Sequence, residues 1–301
     1  CFAYDKALAR SRQSGRLFAL DLVDGSVRWS IEVGHGPLSS PVGREIGGRF
    51  HLFIAARKGL LQALDVSGDA PVALWTYQLP QEVLGSPVLE MDTDRPLLFL
   101  GSKFGNLNAI DALTGERRWQ RMAGSWIDNS AAVGAVGGER IVFVGSHDYS
   151  VYAFRARDGE LLWQRRLGGE IYSAPSFFHL GAAPYAAVAS LDNHLYLLDA
   201  RTGRVETSYF TGAPIWDKVS KGETLWGSPA VFEAGKETAL VHGSFNNTVY
   251  VLPVEGECSL RTKVRSATGL WLGLSAVLML FLLVVLPLVL FLPERKSRNA
   301  P

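Results

Sequence analysis

Apolar and polar positions alternate in short runs over the first 260 residues, and no stretch there keeps the 3.6-residue period of a helix. Runs such as HLFIAA, PLLFLG, RIVFVGS and TALVHGS read as strands, each followed by a polar turn: RKG, KFGN, HDYS and FNN. After the turn comes a strand containing Ala-x-Asp, then a turn marked by Gly, then a strand marked by Trp. With the short apolar run that opens each unit, this predicts four strands per unit.

The units recur. Trp29, Trp75, Trp119 and Trp163 are spaced 46, 44 and 44 residues apart, and Thr207 takes the fifth place 44 residues on. Asp21, Asp65, Asp111 and Asp199 form a second column, with Arg155 in the fourth unit; Gly25, Gly115, Gly159 and Gly203 form a third. Ahead of each opening strand stands Ser40-Pro41, Ser86-Pro87, Ser130-Ala131, Ala174-Pro175 or Ser228-Pro229, the last after a ten-residue insertion. A β-sandwich imposes no strict period and a linear solenoid has shorter repeats, so the pattern predicts an all-β fold, a β-propeller of four-stranded blades. Five to six blades are visible. The first lacks its opening strand, because Cys1–Asp5 reads as a second strand, and in the last only GECSLRT is left for a fourth.

The pattern changes at Gly269–Leu292, which carries no charge over 24 residues. As a helix it would be about 36 Å long, enough to cross a hydrocarbon core of about 30 Å. The domain organisation expected is therefore a propeller over 1–260, a juxtamembrane linker over 261–268, one transmembrane helix over 269–292 and a basic tail over 293–301. Arg261, Lys263 and Arg265 before the span balance Arg295, Lys296 and Arg298 after it, so loop charge does not orient it. The first residue is Cys rather than Met, which permits a signal peptide upstream. The expectation adopted is a single-pass protein with its propeller outside the cytoplasm, a cytosolic tail-anchored arrangement being left open.

Composition narrows the function classes. Thirty Lys and Arg against 29 Asp and Glu give a formal charge of +1, which argues against nucleic acid as a partner. At 48% hydrophobic residues the chain is not disordered. Cys1 and Cys258, the only cysteines, cannot build a disulfide framework or a multi-cysteine metal site.

Ala109-Ile110-Asp111-Ala112-Leu113-Thr114-Gly115-Glu116-Arg117-Arg118-Trp119 resembles the Ala-x-Asp-x-x-Thr-Gly-x-x-x-Trp blade motif of the pyrroloquinoline-quinone (PQQ)-like, quinoprotein alcohol dehydrogenase-like propellers. The resemblance covers roughly Cys1–Glu257. It implies that Trp29, Trp75, Trp119 and Trp163 dock on neighbouring blades, that the Gly column closes turns, and that the Asp column bonds turn amides. Propellers of this family usually have seven or eight blades, so N-terminal blades are expected to be missing from this chain, the alternative being a closed six-blade ring with strands shared between the two ends. Its dehydrogenases carry a vicinal Cys-Cys, a Trp platform and a calcium held by Glu, Asn and Asp, none of which can be picked out here. Catalytic motifs are equally absent, and His35, His51, His147, His179, His194 and His242 read as solvated or turn-bonding. No catalytic residue, cofactor or metal is predicted.

Non-catalytic members of the family include a scaffold of bacterial outer-membrane protein assembly and the lumenal sensor domains of stress kinases. The resemblance thus implies a membrane-anchored, non-enzymatic scaffold or sensor. A PQQ-dependent oxidoreductase with its cofactor residues in missing N-terminal blades is the alternative. An unknown protein or small ligand is expected at the channel mouth, read by the loops that lead into each opening strand. There the position three before the Pro column holds Leu38, Leu84, Asp128, Tyr172 and Trp226, with Trp126, Asn129, Trp216 and Asp217 around it. The same side chains could instead plug the channel or pack between blades. Asp128 is the odd member, able to hold a cation or a ligand amine, although such a carboxylate is ordinarily just solvated.

Overall fold

The computed structural model describes residues 2–4, 14–35, 39–92, 95–211, 228–234, 237–244, 248–255, 259–260 and 265–266. These form six antiparallel sheets, each a meander of consecutive strands, and no helix. The first sheet has three strands, Phe2–Tyr4, Ser14–Leu20 and Val27–His35. The second has Val42–Ile46, Arg49–Ala55, Leu60–Asp65 and Val72–Gln78. The third has Val88–Glu90, Leu97–Gly101, Asn106–Asp111 and Arg117–Met122. The fourth has Ala132–Val136, Glu139–Gly145, Ser150–Arg155 and Leu161–Arg166. The fifth has Ser176–Leu180, Ala183–Ser190, His194–Asp199 and Val205–Phe210. In the sixth, Ala230–Ala234, Glu237–Ser244, Thr248–Glu255 and Ser259–Leu260 follow one another, and Arg265–Ser266 also pairs with the third strand. That last pairing falls inside the stretch read from sequence as a linker. The apolar run Gly269–Leu292 and the tail 293–301 lie outside the described residues, among which no helix is long and apolar enough to cross a membrane.

The opening strands of the third to sixth sheets approach one another in turn, so they are the inner strands and the Trp strands are the outer ones. Between them the second and third strands carry the core. Leu97–Gly101 and Asn106–Asp111 are buried at every position, because both faces of these sheets are covered by neighbours.

A size rule governs each outer strand. Ala63 faces Trp75, Ala109 faces Trp119 and Ala153 faces Trp163, and the ladder slips by one residue just after each Ala. The small side chain leaves room for the indole, and the bulge turns the strand away from the flat sheet. In the fifth sheet the pair is Leu197 opposite Thr207, so the large and small partners have changed places together. Behind the indoles stands a phenylalanine column: ring centroids are 5.9 Å apart for Phe53 and Trp75, 5.6 Å for Phe99 and Trp119, and 5.8 Å for Phe143 and Trp163.

Each indole also closes the seam to the next sheet. The Nε1–H of Trp75 donates to the Ala112 carbonyl at 2.9 Å, that of Trp119 to Ala156 at 2.9 Å and that of Trp163 to Ala200 at 3.0 Å. The indole of Trp119 lies so close to Gly159 that a Cβ there would stand 2.7 Å from its ring, and Gly159 has φ +72°. Glycine is needed there for both the left-handed turn and the approach of the ring. Two residues beyond the Trp, Arg121 donates to the Gly159 and Asp158 carbonyls and Arg165 to that of Gly203, adding a cationic clasp to two seams.

The Asp column caps the turns that follow it. Asp111 Oδ1 accepts from the amides of Leu113 and Thr114, and Asp199 Oδ1 from those of Arg201 and Thr202. Across the sheet, Arg49 faces Asp65 at 3.7 Å and Arg95 faces Asp111 at 3.6 Å. One unit on, the same positions hold Glu139 and Arg155 at 3.4 Å, the pair with its charges exchanged. Arg155 therefore departs from the column without breaking its electrostatics.

Candidate recognition site

The chain enters each sheet through a loop laid across the turns between second and third strands. The Val83 amide donates to the Arg57 carbonyl and the Lys103 amide to Glu82, both at 2.9 Å; His147 donates to Trp126 at 3.0 Å and Leu191 to Glu170 at 3.1 Å. Buried Val83, Ile127 and Ile171 pin the middle of each loop. At its end the Ser-Pro column links neighbours: the Ser40 amide donates to Ser86 Oγ at 3.0 Å, Ser86 to Ser130 Oγ at 2.9 Å, and Ala174 to Ser228 Oγ at 3.0 Å. Ala174 has no hydroxyl to offer Ser130, so the chain of links is interrupted there. The loops and the adjoining turns form one face at one end of the sheets.

Of the rim residues expected from sequence, Leu38, Trp216, Asp217 and Trp226 lie outside the described residues. Leu84 is half-buried. Trp126, Asp128 and Tyr172 come together, joined by His147 from the turn of the fourth sheet. The His147 ring sits 3.9 Å from that of Tyr172 and 5.7 Å from that of Trp126, and its Nε2 is 3.4 Å from Asp128 Oδ2. Trp126 forms the outer wall at 41% exposed, while the Asp128 side chain is 4% exposed. Outside Trp126, Lys103 Nζ lies 5.0 Å from the ring centroid and 2.8 Å from Glu82 Oε2, with Arg57 Nε 3.6 Å from the same oxygen.

Burial is the dominant force on this cluster. It pushes the Asp128 carboxyl up to about 6, against the opposing pull of Lys103 and Arg57. It also holds His147 below the ordinary imidazole range, although Glu170 and Asp148 favour its cation. The Tyr172 hydroxyl is raised, by burial first and then by its hydrogen bond to Glu170. Glu82, at the edge, is lowered chiefly by the Lys103 hydrogen bond.

Three polar atoms here have no hydrogen-bond partner: Asp128 Oδ1, Asn129 Oδ1 and His147 Nε2. Asn129 spends its amide nitrogen on the Gly145 and Ile171 carbonyls, which fixes its orientation. Asp128 is therefore not the solvated carboxylate of the ordinary reading, nor is His147 solvated, its side chain being 9% exposed. His51 and His194 do bond within their turns, through Nδ1 to the Arg49 and Asp192 carbonyls.

Sequence reasoning did not reach Arg57, Glu82, Lys103 or the contact of His147 with Asp128. One signal was present: Glu82, Trp126 and Glu170 stand 44 residues apart, two positions before the column Leu84, Asp128 and Tyr172. Which turn lies under which loop is a matter of tertiary geometry that spacing does not carry.

At the opposite end of the strands, a cavity of about 520 Å³ is lined by Asp92, Glu139, Arg140, Arg155, Arg157 and Asp158. Its guanidiniums are already met by carboxylates, Arg140 by Glu90 at 2.9 Å and Asp92 at 3.0 Å. Among the described residues no three His, Cys, Asp or Glu side chains gather as a metal site.

The family model described as "Outer membrane protein assembly factor BamB" matches residues 2–125 and 103–269. Among solved structures, BamB from Moraxella catarrhalis is similar over 85% of this chain and 81% of its own, with 18% identity and a TM-score of 0.54. The quinohemoprotein alcohol dehydrogenase ADHIIG from Pseudomonas putida HK5 is similar over 71% of this chain and 40% of its own, with 17% identity and a TM-score of 0.53. Both likenesses concern the fold. In sequence, the beta-alanine-activating enzyme of Danio rerio is 36% identical over 77 residues, which is 25% of this chain and 7% of that relative's length.

Proposed function

We propose, from the premise that this chain belongs to the family of the outer membrane protein assembly factor BamB, that it is a non-enzymatic, membrane-anchored scaffold. In this reading it holds a partner protein on its loop face, outside the cytoplasm. One observation carries it: Trp126, Asp128, Tyr172 and His147, from separate loops and a turn, meet at one end of the sheets, where Asp128 and His147 keep buried polar atoms without a hydrogen-bond partner. A rigid frame that repeats its architectural residues and varies its loops carries specificity in the loops. The apolar run Gly269–Leu292 supports the anchor by its length.

Two experiments test it. Pull-down from native membranes with the full chain should recover a partner that Trp126→Ala and Asp128→Ala both lose while their melting temperatures stay within a few degrees of wild type. Loss of capture only on substitution of the outer strands would move the surface elsewhere. Deleting residues 269–292 should release the protein from membranes on a carbonate wash; retention would remove the anchor from the account.

A further inference from the structure

At the loop end of the sheets the outer strands finish in register. Met122 stands opposite Asn106, the first residue of its neighbouring third strand; Arg166 stands opposite Ser150, and Phe210 opposite His194. In the sixth sheet Ser266 stands opposite Thr248, so the chain leaves its last described strand at this same end. Only Ala267 and Thr268 separate Ser266 from Gly269, where the apolar run begins. Fully extended, that link reaches about 11 Å at most. A span over 269–292 therefore brings the loop end of the sixth sheet, rather than the far end, up to the membrane surface.

The two ends also differ in what they expose. At the loop end Met122 is 71% exposed, Phe104 67% and Phe210 56%. At the far end the exposed large apolar side chains are aliphatic apart from Phe50, as Val23, Leu113, Leu161 and Val205 illustrate. Aromatic rings and a flexible thioether suit the headgroup layer, where rings gather at both faces of a bilayer. On the sheet between those of Met122 and Phe210 stands Arg166, exposed, its guanidinium 4.8 Å from the Tyr149 ring centroid. An arginine so placed offers its charge to lipid phosphate while its stem covers apolar surface. The carboxylates of the adjoining turns are engaged within the sheets, Asp148 accepting from the Tyr152 hydroxyl and Asp192 from that of Tyr196.

We propose that the outboard rim of the loop face, on the third to fifth sheets, lies on the lipid headgroup layer of the membrane that holds the anchor, with Phe104, Met122 and Phe210 inserted and Arg166 on lipid phosphate. The strand ends stand outboard of the loops that carry Trp126 and Asp128, so the inner part of the face is left for a partner embedded in the same membrane. This inference rests on the anchored scaffold reading and adds the orientation in which the scaffold is presented.

The test uses the full chain in lipid nanodiscs of phosphatidylcholine and phosphatidylglycerol. In a Cys1→Ser, Cys258→Ser background, one introduced cysteine at a time carries a nitrobenzoxadiazole label. Labels placed through Met122→Cys and Phe210→Cys should emit to the blue of their wavelength in water and be quenched by lipid spin-labelled near the headgroup. Labels placed through Leu113→Cys and Leu161→Cys should emit as in water and escape quenching. Arg166→Glu together with Phe210→Asp should return the Met122→Cys label toward water. Equal response at the two ends of the sheets would overturn the proposal, and so would shielding of the rim that appears only in native membranes, which would assign the cover to a protein. A chain retained by the discs with both rim labels in water would leave the anchored reading standing without this inference. A chain that the discs do not retain would remove the anchor, and the inference with it.

Discussion

The Trp seam and the loop face are built from the same materials, aromatic rings, arginines and carboxylates, yet they treat their polar atoms differently. In the seam, Trp75, Trp119 and Trp163 each donate to a carbonyl of the next sheet, and Arg121 and Arg165 satisfy the turn beyond. In the loop face, Asp128, Asn129 and His147 bring together three buried atoms without a hydrogen-bond partner; others stand in the frame at Gln62, Asp111, Arg140, Ser190 and Asn193. A seam whose indoles and guanidiniums are met serves architecture; a cluster that gathers three open polar atoms bears a stability cost that the frame must offset. Substitutions at the two places should therefore act in opposite directions.

The largest effect is expected in the seam. Trp119→Ala removes a 7% exposed indole packed between Phe99 and Phe154, and should cost about 3–5 kcal/mol in chemical denaturation. A loss below about 1 kcal/mol would put Trp119 outside the docking role. Next comes Gly159→Ala, which must place a methyl group against the Trp119 ring at positive φ and should cost about 1–3 kcal/mol. A neutral result would mean that the seam is loose.

The loop face should respond with the other sign. Asp128 binds its proton more tightly when folded, its carboxyl standing at about 6 against 3.8 for the free side chain. The folded state therefore holds more protons than the unfolded one across that interval, and stability falls as pH rises through it. Asp128→Asn should thus be more stable than wild type by about 1–2 kcal/mol at pH 8 and nearly equal to it at pH 4. An advantage that did not change with pH would locate the cost elsewhere. The smallest effect belongs to the exchanged pair. Glu139→Arg alone should lower stability slightly, by placing a cation against Arg155, and Arg155→Asp in the same chain should restore it, because that recreates the arrangement of Arg95 and Asp111. A double variant worse than either single one would show that the positions are not equivalent.

The seam was legible in the sequence because a propeller repeats it: Trp, Gly, Asp and Ser-Pro recur at fixed offsets, and each column has one physical job. Even the exceptions have partners in sequence, Leu197 with Thr207 and Glu139 with Arg155, although only the strand register of the first pair and the ion pair of the second identify them. The loop face was legible in part. Asp128 and Tyr172 stood in the column three before the Ser-Pro prolines, Asp128 as its odd member, with Trp126 beside it, but Glu82, Lys103 and Arg57 belong to turns and loops whose mutual placement the spacing does not encode. His147 was misread for a related reason. Its backbone lies in a turn, where histidines are usually solvated, and its burial comes from Tyr172, 25 residues further along the chain.

The central claim is that Asp128 costs stability in order to bind. The most direct measurement takes one variant, Asp128→Asn in the full chain, and records both its unfolding free energy at pH 8 and its capture of the membrane partner that wild type recovers. The account predicts a more stable protein with capture lost. A less stable protein that captures the partner as wild type does would contradict it, since Asp128 would then belong to the architecture.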